Sequence, residues 1–183
     1  LDLEELAAHR SSVLGLIPGT PQPSQKKYDT LIWHALKQFD PARAVYVESE
    51  SKKVGNLRVP DALMDAMRAS PCIDLQLADA ERVALLLEDY DFFVQDPEHF
   101  CQRLQALVEL RGREVVNDWI ERVRAGRTPE VVLDLLLHHY DPMYSASIRR
   151  NFVQYGQATG CVLPDRSAAS MVQAARELTA LSG

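Results

Sequence analysis

The run Glu48-Ser49-Glu50-Ser51-Lys52-Lys53 places two carboxylates, two hydroxyls and two ammonium groups directly after four apolar residues, Ala44 to Val47. An apolar strand that ends in an acid can hold a metal ion or a water beside bound phosphates. On this reading Glu48 or Glu50 is the acid, with Glu48 the candidate Mg2+ ligand, and Ser49, Ser51, Lys52 and Lys53 donate to phosphate oxygens. Two other stretches offer the same chemistry. "HRSS" carries Arg10, Ser11 and Ser12 on a loop, and "QPSQKKY" brings Ser24, Gln25 and Lys26 to a helix amino terminus, where free N–H groups favour anions. Plainer readings fit too: a solvated charged turn for 48–53, a paired surface arginine at Arg10, and Ser24 as a simple helix cap.

The strand-end acid is the Walker B pattern of P-loop proteins, but no G-x-x-x-x-G-K-[ST] occurs anywhere in the chain. The "GLIPG" at Gly15 to Gly19 lacks the lysine and hydroxyl that cradle phosphates. His138 and His139 are adjacent, and neighbours on a helix point about 100° apart, too far to share a metal. Cys72, Cys101 and Cys161 form no C-x-x-C pair, which argues against a disulfide framework or a zinc knuckle.

The elements that must position these groups alternate at first. The sequence predicts a strand over Leu1–Leu6, a Pro/Gly loop, a helix from Ser24 with Tyr28, Leu31, Ile32, Ala35, Leu36 and Phe39 on one face, and a buried strand over Ala44–Val47. Pro60 then opens a helix, Cys72–Ala78 alternates as a third strand, and Asp79 begins another helix. Helical periodicity continues near 97–109, 112–125, 128–139 and 167–181. Strand and helix in alternation imply parallel strands with helical crossovers. The fold class is therefore α/β: a partial P-loop NTPase-like parallel sheet, followed by a mostly helical C-terminal region. The division expected is an incomplete P-loop-like part over 1–95 and a helical part over 96–183, packed together as one domain. In such a sheet ligands bind outside the carboxyl ends of the strands, where the loops after all three would converge.

With 183 residues, 46% hydrophobic and 25% charged, the composition is that of a water-soluble globular chain. The longest apolar run, Val131–Leu137, is interrupted by Asp134 and is far short of a membrane span, so cytoplasm is the expected location. Residues 61–110 hold 3 basic and 11 acidic side chains, so a polyanion would have to meet the ends of the chain. The sequence opens on Leu1 inside an apolar pattern and reads as a piece of a longer protein.

Taken in order, "LDLEELAAHRSSVLG", "QPSQKKYD", "VYVESESKKVGNLRVPDAL", "LLLEDY", the Leu110 to Trp119 spacing and "HHYDPMYSAS" resemble the bacterial tRNA 2-selenouridine synthases. That resemblance implies the P-loop domain that follows a rhodanese-like domain in one longer chain, with the Walker A segment missing. The catalytic cysteine would lie in the rhodanese-like domain, so no catalytic residue is expected here and the three cysteines do not inherit that role. The implied reaction replaces sulfur by selenium in the wobble 2-thiouridine of tRNA through a geranylated intermediate, with geranyl diphosphate and selenophosphate as co-substrates. The implied partner is tRNA, with contacts expected from Arg111, Arg113, Arg122, Arg124, Arg127, Arg149 and Arg150. Where the family pattern has Gly and Ser after "HR" and an aromatic before the next Gly, this chain has Ser11, Ser12 and Leu14, which restricts how closely the backbone can approach a phosphate. The residues alone also fit a kinase-like P-loop phosphotransferase or a non-catalytic helical interaction module.

Overall fold

A computed structural model describes the chain except residues 11, 13, 16, 18, 50, 182 and 183. The sequence expectations at Ser11 and Glu50 lie outside the described residues. Two compact units interleave along the chain: Leu1–Cys72 with Ser147–Ala158 and Glu177–Gly183, and Ile73–Ala146 with Thr159–Arg176.

In the first unit, the strand expected at Leu1–Leu6 is a helix, α1 (Leu3–Ala7). The reason is local capping. The Asp2 carboxylate accepts from the Glu5 N–H at 2.7 Å, and Glu4 and Glu5 favour the positive end of the helix dipole. Leu3 and Ala7, four residues apart, are both fully buried. They pack on α2 (Gln25–Leu36), which begins as expected at Ser24, its Oγ accepting from the Lys27 N–H at 3.3 Å. Tyr28 and Ile32 form the buried face of α2, while Leu36 and Phe39 are exposed.

The buried strand expected at Ala44–Val47 is also corrected. Residues 44–49 belong to no sheet, and Val45 and Tyr46 are 40% and 39% exposed. A parallel strand needs cover on both faces, and here only Val47 packs against the core. The chain instead makes a hairpin just beyond, β1 (Lys53–Val54) antiparallel to β2 (Leu57–Arg58), with Val54 facing Leu57 and Lys53 facing Arg58. Gly55, at φ +60, is the first of the two turn residues, which a hairpin of right-handed twist requires of a Gly-first turn. Helix α3 (Asp61–Ala69) follows Pro60 and buries Met64 and Met67. Val54, Leu57, Val59, these methionines and Phe152 complete one core with Leu3, Ala7, Tyr28 and Ile32.

The second unit contains the one parallel strand pair among the described residues, β3 (Ile73–Gln76) beside a strand at Thr159–Val162, with Ile73 opposite Thr159. The third predicted strand thus stands. Helices α4 (Asp79–Asp89), α5 (Asp91–Gln95), α6 (Pro97–Leu104), α7 (Val108–Arg111), α8 (Arg113–Arg124) and α9 (Thr128–Leu135) follow in succession. A widened π-helical turn, Leu136–Tyr140, leads into α10 (Asp141–Asn151), and α11 (Ala168–Leu181) follows the last strand, β4 (Thr159–Val162). Val116, Trp119, Ile120 and Val123, spaced three and four apart, line the buried face of α8. Arg122 is tied to Asp118 and to Asp134, which pins α8 to α9. Among the described residues no helix is long and apolar enough to cross a membrane.

Candidate functional site

The amino end of α2 and the β1–β2 hairpin form one connected edge in the first unit. Gln25 donates from Nε2 to the Arg58 carbonyl and accepts at Oε1 from the Arg58 N–H, both at 2.8 Å. A side chain thereby completes β2 as a further strand would. Gln22 does the same for the turn: its Nε2 donates to the carbonyls of Ala7 (3.2 Å) and Val54 (3.0 Å), and its Oε1 accepts from the Asn56 N–H at 2.9 Å. A Cβ on Gly55 would stand 2.3 Å from Gln22 Oε1 and 2.8 Å from the His9 ring, so glycine there is a packing requirement as well as a backbone one.

The hairpin register sets Lys53 opposite Arg58, a like-charge cross-strand pair that opposes pairing unless an anion relieves it. Lys52 Nζ reaches Asp61 at 2.9 Å and Arg58 lies 3.8 Å from the same carboxylate. The hydrogen bond and charge of Lys52, with the charge of Arg58, hold the Asp61 carboxyl below its usual range. Lys52 and Arg58 thus share one exposed carboxylate, Lys53 stands opposite Arg58 in the hairpin, and Lys26 and Lys27 lie in the first turn of the adjoining α2. This surplus of positive charge beside a helix amino terminus is suited to a multiply charged phosphate.

The remaining predicted phosphate ligands have other engagements. Ser51 donates its hydroxyl to the Lys53 carbonyl at 2.6 Å and accepts from the Lys53 N–H, which shapes the entry to the hairpin. Ser24 caps α2. Ser12 and Arg10 belong to a tight turn, in which the Arg10 N–H donates to Gly15 O at 3.0 Å and the Gly15 N–H to Ser12 O at 2.9 Å. A Cβ on Gly15 would meet Arg10 C and Ser12 N at 2.9 Å. Of the three strands expected to end in such loops, only the third is a strand among the described residues. Instead Gln22 joins the end of α1, the loop before α2 and the hairpin turn.

Glu48, the candidate magnesium ligand, has a part in the fold. Its Oε1 accepts from the backbone N–H groups of Leu3 and Glu4, so the carboxylate caps α1 together with Asp2. Among the described residues no three His, Cys, Asp or Glu side chains gather as a metal cage.

The arginines separate clearly. Arg122 is 14% exposed and bound to two carboxylates, Arg124 makes a two-pronged pair with Glu98 at 2.8 Å, and Arg127 reaches Glu130 at 3.3 Å. Arg113, at the start of α8, and Arg149 and Arg150, near the end of α10, are exposed. Arg111 donates from Nε to His139 Nδ1 at 2.9 Å. A cleft of about 260 Å³ between α6 and α8 is lined by Glu98, Cys101, Gln102, Asn117 and Arg124 among others. Burial and the nearby Glu98 charge push the Cys101 thiol up, the opposite of what activates a nucleophile.

Gln22, Arg58 and Asp61 were not singled out from the sequence. The signal was present in "VGNL", where Gly-Asn stands between two apolar residues as a two-residue hairpin turn.

The family model described as "tRNA 2-selenouridine synthase AAA domain" matches residues 1–124. The tRNA 2-selenouridine synthase of Alcanivorax borkumensis is 28% identical over 178 residues, 82% of this chain and 49% of that protein. Those of Marinobacter nauticus and Nitrosomonas europaea are 36% and 38% identical over 92 and 93 residues, each match covering 49% of this chain and 25% and 24% of the respective protein. The chain spans about half the length of the Alcanivorax relative. No solved structure matches the chain.

Proposed function

The chain belongs to the tRNA 2-selenouridine synthase family, and on that premise we propose that it is the phosphate-binding part of an enzyme that exchanges sulfur for selenium in the wobble 2-thiouridine of tRNA. The single observation that supports this reading is the cationic edge formed by α2 and the hairpin, where Lys52 and Arg58 share Asp61 and Lys53 stands opposite Arg58.

The proposed chemistry explains why such an edge is useful. The thiouridine sulfur attacks C1 of geranyl diphosphate, a C–S bond forms, the C–O bond breaks and diphosphate leaves. Selenium of selenophosphate then attacks C2 of the base, geranylthiol departs, and water removes the phosphoryl group. An alkylated sulfur leaves far more readily than a bare thiocarbonyl sulfur. Both co-substrates present phosphate charge, and the first step builds negative charge on the departing diphosphate. Lys52, Lys53 and Arg58 neutralise that charge, and the α2 amino terminus with Lys26 adds to the field. The reactive cysteine belongs to a rhodanese-like domain of the complete protein, which acts in the cytoplasm.

The test uses the complete protein, with Lys52 and Lys53 both changed to Ala and, separately, Arg58→Ala. Binding of geranyl diphosphate and of a wobble-thiolated tRNA is measured for each. Loss of the diphosphate with tRNA retained supports the assignment. Loss of tRNA alone makes the edge an RNA contact and moves the chemical site elsewhere.

A further inference from the structure

Arg111 ends α7, and Gly112, at φ +84, turns the chain at once into α8, whose first residue is Arg113. Arg111 is half-buried, and among the described residues its guanidinium has His139 as a partner and ion-pairs with no carboxylate. Arginine does not give up its proton, so His139 Nδ1 accepts the bond and the imidazole proton sits on Nε2. His139 is 1% exposed, in the π-helical turn, and Tyr140 meets its ring edge-on. A neutral ring therefore aims the guanidinium without cancelling its charge. Arg122, Arg124 and Arg127 differ, because each already has its anion. A half-buried cation without a counter-ion carries a desolvation penalty that an incoming anion offsets.

We propose that Arg111, aimed by His139, docks a single phosphodiester of the RNA substrate, with Arg113 beside it, and that His139 is the positioning residue for this contact. One guanidinium matches one singly charged phosphodiester, whereas a diphosphate calls for a group of cations like that of the hairpin edge. The proposal rests on the reading of the chain as part of a tRNA-acting enzyme, and the test separates the two.

Binding of tRNA to the complete protein is followed over a series of salt concentrations, with pyrophosphate binding measured in parallel. Arg111→Ala should weaken tRNA binding and reduce the slope of log Kobs against log salt by about 0.7 to 0.9, the share of one phosphate contact. Arg111→Lys should restore the slope. His139→Asn, which keeps an acceptor near the Nδ1 position, should bind close to wild type, and His139→Leu should bind several-fold more weakly. Arg122→Ala should leave the slope unchanged, since that charge is already met. An unchanged slope in Arg111→Ala overturns the proposal, as does a loss confined to pyrophosphate. Failure of the wild type to bind tRNA removes the functional reading itself.

Discussion

Gln22 is the residue through which the first unit is most open to attack. Its amide makes three hydrogen bonds, to Ala7 O, Val54 O and the Asn56 N–H, and joins segments that lie 15, 32 and 34 residues away. A neutral hydrogen bond contributes about 1 kcal/mol net, and two of these are partly buried, so Gln22→Ala should cost about 2 to 3 kcal/mol. Native-state hydrogen exchange on the slowest α2 amides reads this unit by itself, and their protection should fall roughly 30- to 150-fold, at about 1.4 kcal/mol per factor of ten. Gln22→Glu is the sharper variant. It keeps an acceptor for Asn56 but sets an anionic oxygen against two carbonyl oxygens, so it should do at least as much damage as alanine. A change of less than about threefold in either variant, against the expectation from three lost bonds, would refute the argument that Gln22 ties the turn to α1.

Two further outcomes are expected. Ala8 closes α1 in the left-handed region at φ 51, so Ala8→Gly should relieve about 1 to 2 kcal/mol of strain and give back part of it as unfolded-chain entropy. The net gain of about 0.5 to 1 kcal/mol would appear as slower exchange of the same α2 amides; faster exchange would show that packing of the Ala8 methyl outweighs the backbone. Asp165 is held at about 2 by the hydroxyls of Ser167 and Ser170 and the Ser167 N–H. Because the folded value lies below the unfolded one near 3.9, the unfolded chain binds more protons in that window. The contribution is present above about pH 4 and is lost as pH falls through about 2. Replacing both serines with alanine should return Asp165 toward its ordinary value, read by NMR titration of its side chain.

Local signals carried much of the architecture. Ser24 before Gln25 marked the start of α2, Pro60 the start of α3, and three- and four-residue spacing the buried face of α8. Short apolar runs were less secure. Leu1, Leu3 and Leu6 suit a strand as well as a helix turn, and the Asp2 to Glu5 capping spacing decided for α1. Ala44 to Val47 looked like a buried strand because four apolar residues in a row imply cover that this segment does not receive. At the candidate site the sequence pointed to Lys26, Lys52 and Lys53 but not to Arg58, whose place follows from the hairpin register and the Gln25 bonds.

By itself the sequence determined the starts of α2, α3 and α4, the third strand, the lysines gathered in "ESESKK" and "QPSQKKY", and the ordered motifs that mark the family. These are properties of residue types and spacings within a few positions, where backbone geometry acts directly. Tertiary structure alone decided which of those charges remain available. Glu48 is spent on the amides of Leu3 and Glu4, Arg122 on Asp134, and Arg111 is left with a neutral histidine. Each of those outcomes depends on a partner 12 to 45 residues away. Folding chooses that partner by burying the surrounding apolar surface, and local sequence carries no record of the choice.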